Sequence, residues 1–327
     1  MRGVPETVLV APDSFKGTFS AAQVAAAIGQ GLGDGGRAVD LCPVADGGEG
    51  TAEALRAALG GELRTAAVHD PLGRPVEVGF VLADGVAFVE TAAASGLGLV
   101  AEDERDAFAA STAGTGELLC AAVAAGARTV YLGVGGSATT DGGMGALEAI
   151  EDAGGLGDAR LVVLCDVRTV FEDAAIVFAP QKGADPETVR RLTRRLGDLA
   201  RRLPRNPRGR EMTGAAGGLS GGLWAALGAE LVSGAGFVLD AVGFDARMRA
   251  ARCVITGEGR LDRQSLVGKL VSEIATRARQ AGVPCHVVAG TRELDAMGAR
   301  VLDLERVLEA STRDELVEAG RQLAGVI

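Results

Sequence analysis

The sequence predicts an α/β protein of two domains, the second inserted into the first, and three observations carry that expectation. Near both ends of the chain, short apolar runs alternate with glycine-bearing polar loops and helix-like stretches, the succession that builds parallel strands with crossover helices. The middle opens instead on three strand-like runs joined by tight-turn signals, which read as antiparallel hairpins. At 327 residues the chain suits two cores better than one.

Residues 8–11 read as a buried strand and APDSFKGT (11–18) as the loop after it. Ser20 suits the N-cap of a helix through residues 21–32. A second strand, 38–45, leads into DGGEGT (46–51) and a helix over 52–60. Ligands of parallel sheets bind beyond the carboxyl ends of the strands, where Asp13, Ser14, Lys16, Asp46 and Glu49 would lie. The runs 64–68, 76–82 and 86–91, separated by PLGRP and ADG, are the hairpins, and they place a domain boundary near residue 66.

STAGTGELLCAAVAAGA (111–127) reads as a helix with Ser111 or Thr115 as N-cap. A strand at 129–132 then delivers GVGGSATTDGGMG (133–145), followed by a helix over 146–153. LVVLCD (161–166) is a buried strand ending in Asp166, and APQKGA (179–184) puts Lys182 in a loop. Residues 186–211 are rich in arginine at helical spacing, which reads as a solvated helix and surface loop. No aromatic residue is interleaved there to stack on bases. TGAAGGLSGGL (213–223) is a helix start or a close-packing surface, and residues 237–239 read as the last strand of the inserted domain. The first pattern then returns, with a strand and loop over 253–262, a helix to about Gln280, a strand at 284–290 and an amphipathic helix over 312–325. The expected domains are therefore a discontinuous, Rossmann-like one with a parallel sheet (1–66 and 238–327) and an inserted α/β one with a mixed sheet (67–237).

Composition bounds the function. A hydrophobic share of 47 % with only 3 % aromatic residues requires a core of Ala, Val and Leu. The formal charge of −10 argues against nucleic acid and acidic membrane surfaces as partners. No apolar run has signal-peptide or bilayer-spanning length, which points to a cytoplasmic protein. The five cysteines show no CxxC pattern and read as reduced core thiols, and the two histidines are isolated.

Six glycines in the thirteen residues 133–145 let the backbone approach a ligand and present bare amides, a setting for phosphate. Ser137, Thr139 and Thr140 add hydroxyls. Asp141 would repel phosphate unless a cation lay between them, so it is the candidate metal ligand of a metal–nucleotide site; the simpler reading makes it a helix N-cap. Acids recur in DSFKGT (13–18), DGGEGT (46–51) and GEGRLDRQS (257–265). Repeated carboxylates after buried strands are costly without a ligand to justify them. The P-loop pattern GxxxxGK[ST] is missing, while GVGGSA matches a dinucleotide fingerprint but lacks the acid that ribose binding wants.

The segments APDSFKGT (11–18), PVADGGEGT (43–51), STAGTGEL (111–118), YLGVGGSATTDGGMG (131–145), CDV (165–167), APQKGA (179–184), GAAGGL (214–219) and TGEGRLDRQS (256–265), with Gly268-Lys269, run in one order along nearly the whole chain. In them the chain resembles the bacterial glycerate kinases of the first type. The resemblance implies two unlike α/β domains with the active site in the cleft between them. It also implies ATP and Mg²⁺ as co-substrates and, for most bacterial members, 2-phosphoglycerate as product. The chain departs from the family after CDV, reading Arg168-Thr169-Val170 with a shorter link where the family usually continues Asn-Pro-Leu.

On this reading Lys16 and Arg260 face anionic groups, and Gly47 and Gly48 offer amides to D-glycerate. Ser14, Glu49, Asp262 and Gln264 complete the acceptor site. Thr115, Gly135, Gly136, Ser137, Thr139, Thr140, Asp141 and Lys182 hold the nucleotide. Asp166 is the first choice for the catalytic base and Asp46 the second. A surface lysine at 16 and a helix cap at 46 are the simpler alternatives. The competing functions are an NAD-dependent oxidoreductase built on GVGGSA and a non-catalytic nucleotide-binding protein. The expected partners are small molecules, with the chain a monomer or homodimer.

Overall fold

The computed structural model describes residues 7–165, 167–266 and 269–327, and of Gln264 the backbone alone. In chain order its strands are β1 (Thr7–Pro12), β2 (Ala38–Leu41), β3 (Glu62–His69), β4 (Pro75–Ala83), β5 (Val86–Glu90), β6 (Thr129–Gly133), β7 (Arg160–Leu164), β8 (Glu230–Val232), β9 (Cys253–Leu261), β10 (Cys285–Arg292) and β11 (Leu304–Glu309). The chain divides into one unit of residues 1–46 and 235–327 and a second of residues 47–234.

The first unit is a five-stranded sheet in the order β11-β10-β9-β1-β2, parallel throughout. Its inner strands are apolar on both faces because helices cover both. Val8 and Val10 pack with Val24 and Ile28 of helix Ala21–Asp34 and Leu316 and Leu323 of helix Arg313–Ala324. Both helices start on capping boxes, Ser20 with Gln23 and Thr312 with Glu315. From β1 the chain turns to β2 on one side, while β9, β10 and β11 build outward on the other. The carboxyl ends of β1 and β9 therefore flank the point where strand order reverses, where open α/β sheets bind ligands.

The second unit is a six-stranded mixed sheet, β3-β4-β5-β6-β7-β8, antiparallel over β3–β5 and parallel from β5 onward. The ADG signal is a two-residue hairpin loop. Ala83 pairs with Val86, and Asp84 and Gly85 both take positive φ (49° and 79°), as a type I′ turn requires. Leu118, Leu119, Ile150, Leu219 and Leu223 fill the core against Val130, Leu132 and Val163. Helix Pro186–Arg202 buries Leu192, Leu196 and Leu199 and turns its arginines outward, as expected of a solvated helix. Arg191 and Arg195 lie over the Phe108 ring, and Arg195 also donates to the Phe108 carbonyl.

Several expected elements shift. The boundary expected at 66 falls inside β3, which pairs with β4 along its whole length, so the division lies at 46/47. Helix Thr51–Leu59 belongs with the second unit, where the Glu90 carboxylate accepts from the Ala52 amide at 2.8 Å. The strand expected over 237–239 is part of helix Gly234–Ala241. Ala235, Val238 and Leu239 are fully buried at i, i+3 and i+4, a helical period that three apolar residues in isolation conceal. The division there is 234/235 instead of 237/238. β2 ends at Leu41, short of the expected 45, and β11 is a strand the sequence reading passed over. All five cysteines are free thiols. Among the described residues no helix is long and apolar enough to cross a membrane.

Candidate active site

In the first unit a cavity of about 360 Å³ opens at the carboxyl ends of β1 and β9. The loop after β1 brings Asp13, Ser14 and Lys16 to it, the segment after β2 brings Asp46, and β9 brings Glu258. The main chain draws these together: the Asp13 amide donates to the Gly257 carbonyl at 2.8 Å, continuing the β1–β9 ladder into the loop. Phe15 is buried and bridges Phe19, so Lys16 rides on the tip of a tight loop with its Nζ 3.7 Å from an Asp46 oxygen. Lys269, just before helix Leu270–Ala281, adds a second cation to the lining.

The carboxyl groups here do not behave as surface acids. Burial, then the neighbouring Asp46, push Asp13 well above the usual carboxylate range, against the pull of Lys16 and of the Ser14 amide on its oxygen. Glu258 is pushed up to about 7, chiefly by burial and further by Asp262 and Asp46, against a hydrogen bond with Ser265 and the charge of Lys269. Glu258 Oε1 and Ser14 Oγ are buried with no hydrogen-bond partner among the described residues. An unpartnered carboxylate oxygen and an unpartnered hydroxyl, on two residues that line one cavity, are polar valences left over at a ligand-sized space.

The second unit organises GVGGSATTDGGMG differently from the expectation. Its acid is interior scaffold, and its two threonine hydroxyls are buried with no hydrogen-bond partner among the described residues. Asp141 is 1 % exposed, and its carboxylate accepts from the Thr112 amide (2.9 Å), the Thr112 hydroxyl (2.7 Å), the Gly143 amide (3.1 Å) and the Gly145 amide (3.1 Å). Three of these donors fall on Oδ2 and one on Oδ1, and the carboxylate is enclosed by protein, so it acts as a tie between loops in place of the metal role expected of Asp141. Thr115 is equally enclosed, its hydroxyl 2.7 Å from that of Ser95, and so supports the loop from behind instead of facing a nucleotide. Thr139 and Thr140 are wholly buried. The accessible part is Gly135 and Gly136, with Ser137 beneath them. Gly135 is packed so closely that a Cβ would lie 2.6 Å from Gly48 Cα, which brings Gly47 and Gly48 beside this loop; Glu49 next to them is exposed.

Lys182 is buried, and its ammonium donates to Ser137 Oγ (3.0 Å) and the Thr139 carbonyl (2.5 Å). Burial lowers its pKa to about 7, against the attraction of Asp141. Between pH 7 and the ordinary value of 10.5 the unfolded chain holds a proton that the folded chain has released. Stability from this group therefore rises as pH rises through that window and is flat below it. Lys182→Met is expected to remove that slope relative to the parent chain. Thermal unfolding measured from pH 7 to 10 checks it, and parallel curves for the two proteins would refute it.

Of the other expected residues, Arg260 reaches the cavity rim but turns its exposed guanidinium to Glu293 (2.5 Å), with Asp262 at 3.9 Å. That places Lys16 and Lys269, more than Arg260, as the cavity's cations. Asp166 and the side chain of Gln264 lie outside the described residues. Glu258 and Lys269 lie in segments that the sequence reading quoted, but it gave neither residue a role. The signal for Glu258 was an acid continuing the apolar run of residues 253–256 within one strand. GVGGSA lacks the dinucleotide geometry as well: β6 ends at Gly133 but the helix starts only at Met144, so the glycines do not open a helix onto a pyrophosphate.

Comparison with known proteins agrees with the segment order. The model of the glycerate kinase family matches residues 8–154 and 151–322. A glycerate kinase of Halalkalibacterium halodurans is 38 % identical over 87 % of this chain and 85 % of its own length. Glycerate 2-kinase of Escherichia coli is 37 % identical over the same shares, 87 % and 85 %. A solved structure from Salmonella typhimurium LT2, described as glycerate kinase 2, superposes with a TM-score of 0.80 at 32 % identity, covering 98 % of this chain and 97 % of that one.

Proposed function

The chain belongs to the glycerate kinase family, and we propose that it moves the γ-phosphoryl group of ATP onto a hydroxyl of D-glycerate, with 2-phosphoglycerate as product. The observation that carries this reading is the cavity at the β1/β9 switch point. It is sized for a small acid, holds carboxyl groups beside two lysines, and keeps an orphaned hydroxyl and an orphaned carboxylate oxygen for a polar ligand. Lys16 and Lys269 supply positive charge for the acceptor's carboxylate and the phosphoryl group, and Ser14 and Asp262 hydrogen-bond the acceptor's hydroxyls. The amides of Gly135 and Gly136, with Gly47 and Gly48 beside them, receive the phosphates of the nucleotide, and buried Lys182 holds the loop in shape beneath them.

Magnesium enters with the substrate, as MgATP. Among the described residues no cluster of three or more His, Cys, Asp or Glu could hold a metal, and Mg²⁺ is commonly carried on phosphate oxygens and water. The catalytic need is then electrostatic: cations where charge spreads over the transferring phosphoryl group, and a proton acceptor for the attacking hydroxyl. The enzyme is taken as cytoplasmic, acting on small molecules as a monomer or homodimer.

A coupled assay with ATP, Mg²⁺ and D-glycerate is expected to show ADP formation dependent on D-glycerate. ³¹P NMR of the product is expected to show the 2-phosphate. ATP binding without turnover would instead establish a nucleotide-binding protein, and a 3-phosphate product would correct the regiochemistry.

A further inference from the structure

We propose that Glu258 is the catalytic base, taking the proton from the attacking hydroxyl of the acceptor; this rests on the kinase reading above and names a residue within its site. Three carboxyl groups line the cavity, and their partners differ. Asp46 is ion-paired with Lys16, and Asp13 accepts the Ser14 amide at 2.6 Å. Glu258 lines the cavity and keeps one oxygen, Oε1, buried with no partner among the described residues, while its carboxyl is held by Ser265. Its backbone is fixed within β9, which pairs with both β1 and β10, so the group is presented from rigid strand. A strand-mounted carboxyl on the wall of a ligand-sized space, with one oxygen's lone pairs unused, is what proton abstraction requires geometrically.

Its surroundings suit the task. Asp46 and Asp13 approach from the loops after β2 and β1, Asp262 follows on its own strand, and Lys269 and Lys16 supply the opposing charge. Burial first, then Asp262 and Asp46, lift Glu258 to about 7, where a base is ionised in half the molecules at neutral pH yet still holds a proton well. In the step, the acceptor O–H bond breaks and its proton passes to the Glu258 carboxylate. The freed oxygen pair forms the bond to the γ-phosphorus, the bond from that phosphorus to the β–γ bridging oxygen breaks, and ADP leaves with that pair. Solvent later takes the proton from Glu258.

Glu258→Gln is expected to lower kcat by about 10²–10⁴-fold, with KM for ATP and D-glycerate within a few-fold of the parent. The parent's kcat/KM is expected to fall as pH drops through about 7, because the free base is then protonated, and Glu258→Gln is expected to lose that limb. Ser265→Ala removes a hydrogen bond that favours the ionised carboxylate, so its acid limb is expected to move to higher pH. A Glu258→Gln enzyme with kcat within ten-fold of the parent, or with the acid limb intact, overturns the assignment. So does a KM increase at unchanged kcat, which would make Glu258 a binding group. If Glu258→Gln fails to fold by circular dichroism, the Ser265→Ala limb decides: a shift upward supports the base and an unmoved limb overturns it. A parent enzyme that does not consume ATP with D-glycerate refutes the kinase reading, and the base assignment with it; an active parent beside an active Glu258→Gln variant refutes the base alone.

Discussion

Lys16→Met is expected to cut kcat by about 10²–10³-fold, the usual effect of removing one preorganised charge from a reacting centre, while leaving the melting temperature nearly unchanged. Both halves follow from where the residue sits. Its side chain is 58 % exposed, so little packing is lost. The loop that carries it is rigid for reasons that do not involve the lysine: Phe15 is buried, the Phe15 amide donates to the Phe19 carbonyl at 2.9 Å, and the Thr18 hydroxyl donates back to the Phe15 carbonyl at 2.8 Å. The ammonium is thus delivered to the cavity without being needed to build it. Steady-state kinetics beside thermal unfolding checks the prediction. Unchanged kcat and KM for both substrates would remove Lys16 from the reaction.

Asp141→Ala is expected to do the reverse, unfolding the protein more easily because this acid is structural. Its carboxylate gathers four hydrogen-bond donors, two of them the amides of Gly143 and Gly145 at the start of helix Met144–Asp152. Thr112, at the N-cap of helix Ala113–Ala124, donates its hydroxyl to Asp141 and accepts the Ala146 amide at 3.0 Å. One buried anion therefore ties two helix N-termini together, where their amides and dipoles favour negative charge. Removing it leaves buried donors unsatisfied, at a cost of about 3–5 kcal/mol. For a unit of this size that corresponds to a fall of roughly 10 °C in Tm. Differential scanning calorimetry reads it directly, and a Tm within 2 °C of the parent would contradict the account. Asp141→Asn is expected to be nearly as damaging, because its amide would point donors at donors.

These two residues show how unevenly the site could be read beforehand. Lys16 and Asp141 both lie in loops that follow apolar strands, beside glycine and hydroxyl residues, and nothing local separates a group facing a ligand from one facing the core. Distant residues separate them: Thr112 encloses Asp141, and Asp46 faces Lys16. Glu258 was hidden for the same reason, since its burial depends on where β1 and β10 run. Arg260 resembled an anion clamp until Glu293, thirty-three residues on, was seen to occupy its guanidinium.

Most of the elements, the cap at Ser20, the ADG turn, the return of the chain to its first sheet and the family itself were written in the amino-acid string. Each depends on residues a few positions apart, or on segments recurring in a known order. The tertiary structure alone decided that the Gly234–Ala241 segment is helical, that the unit boundary precedes helix Thr51–Leu59, and which acids are scaffold and which face the cavity. The physical reason is that a carboxyl group's proton affinity and hydrogen-bond partners are set by local dielectric and by charges within a few ångströms, and those neighbours come from parts of the chain that only folding brings together.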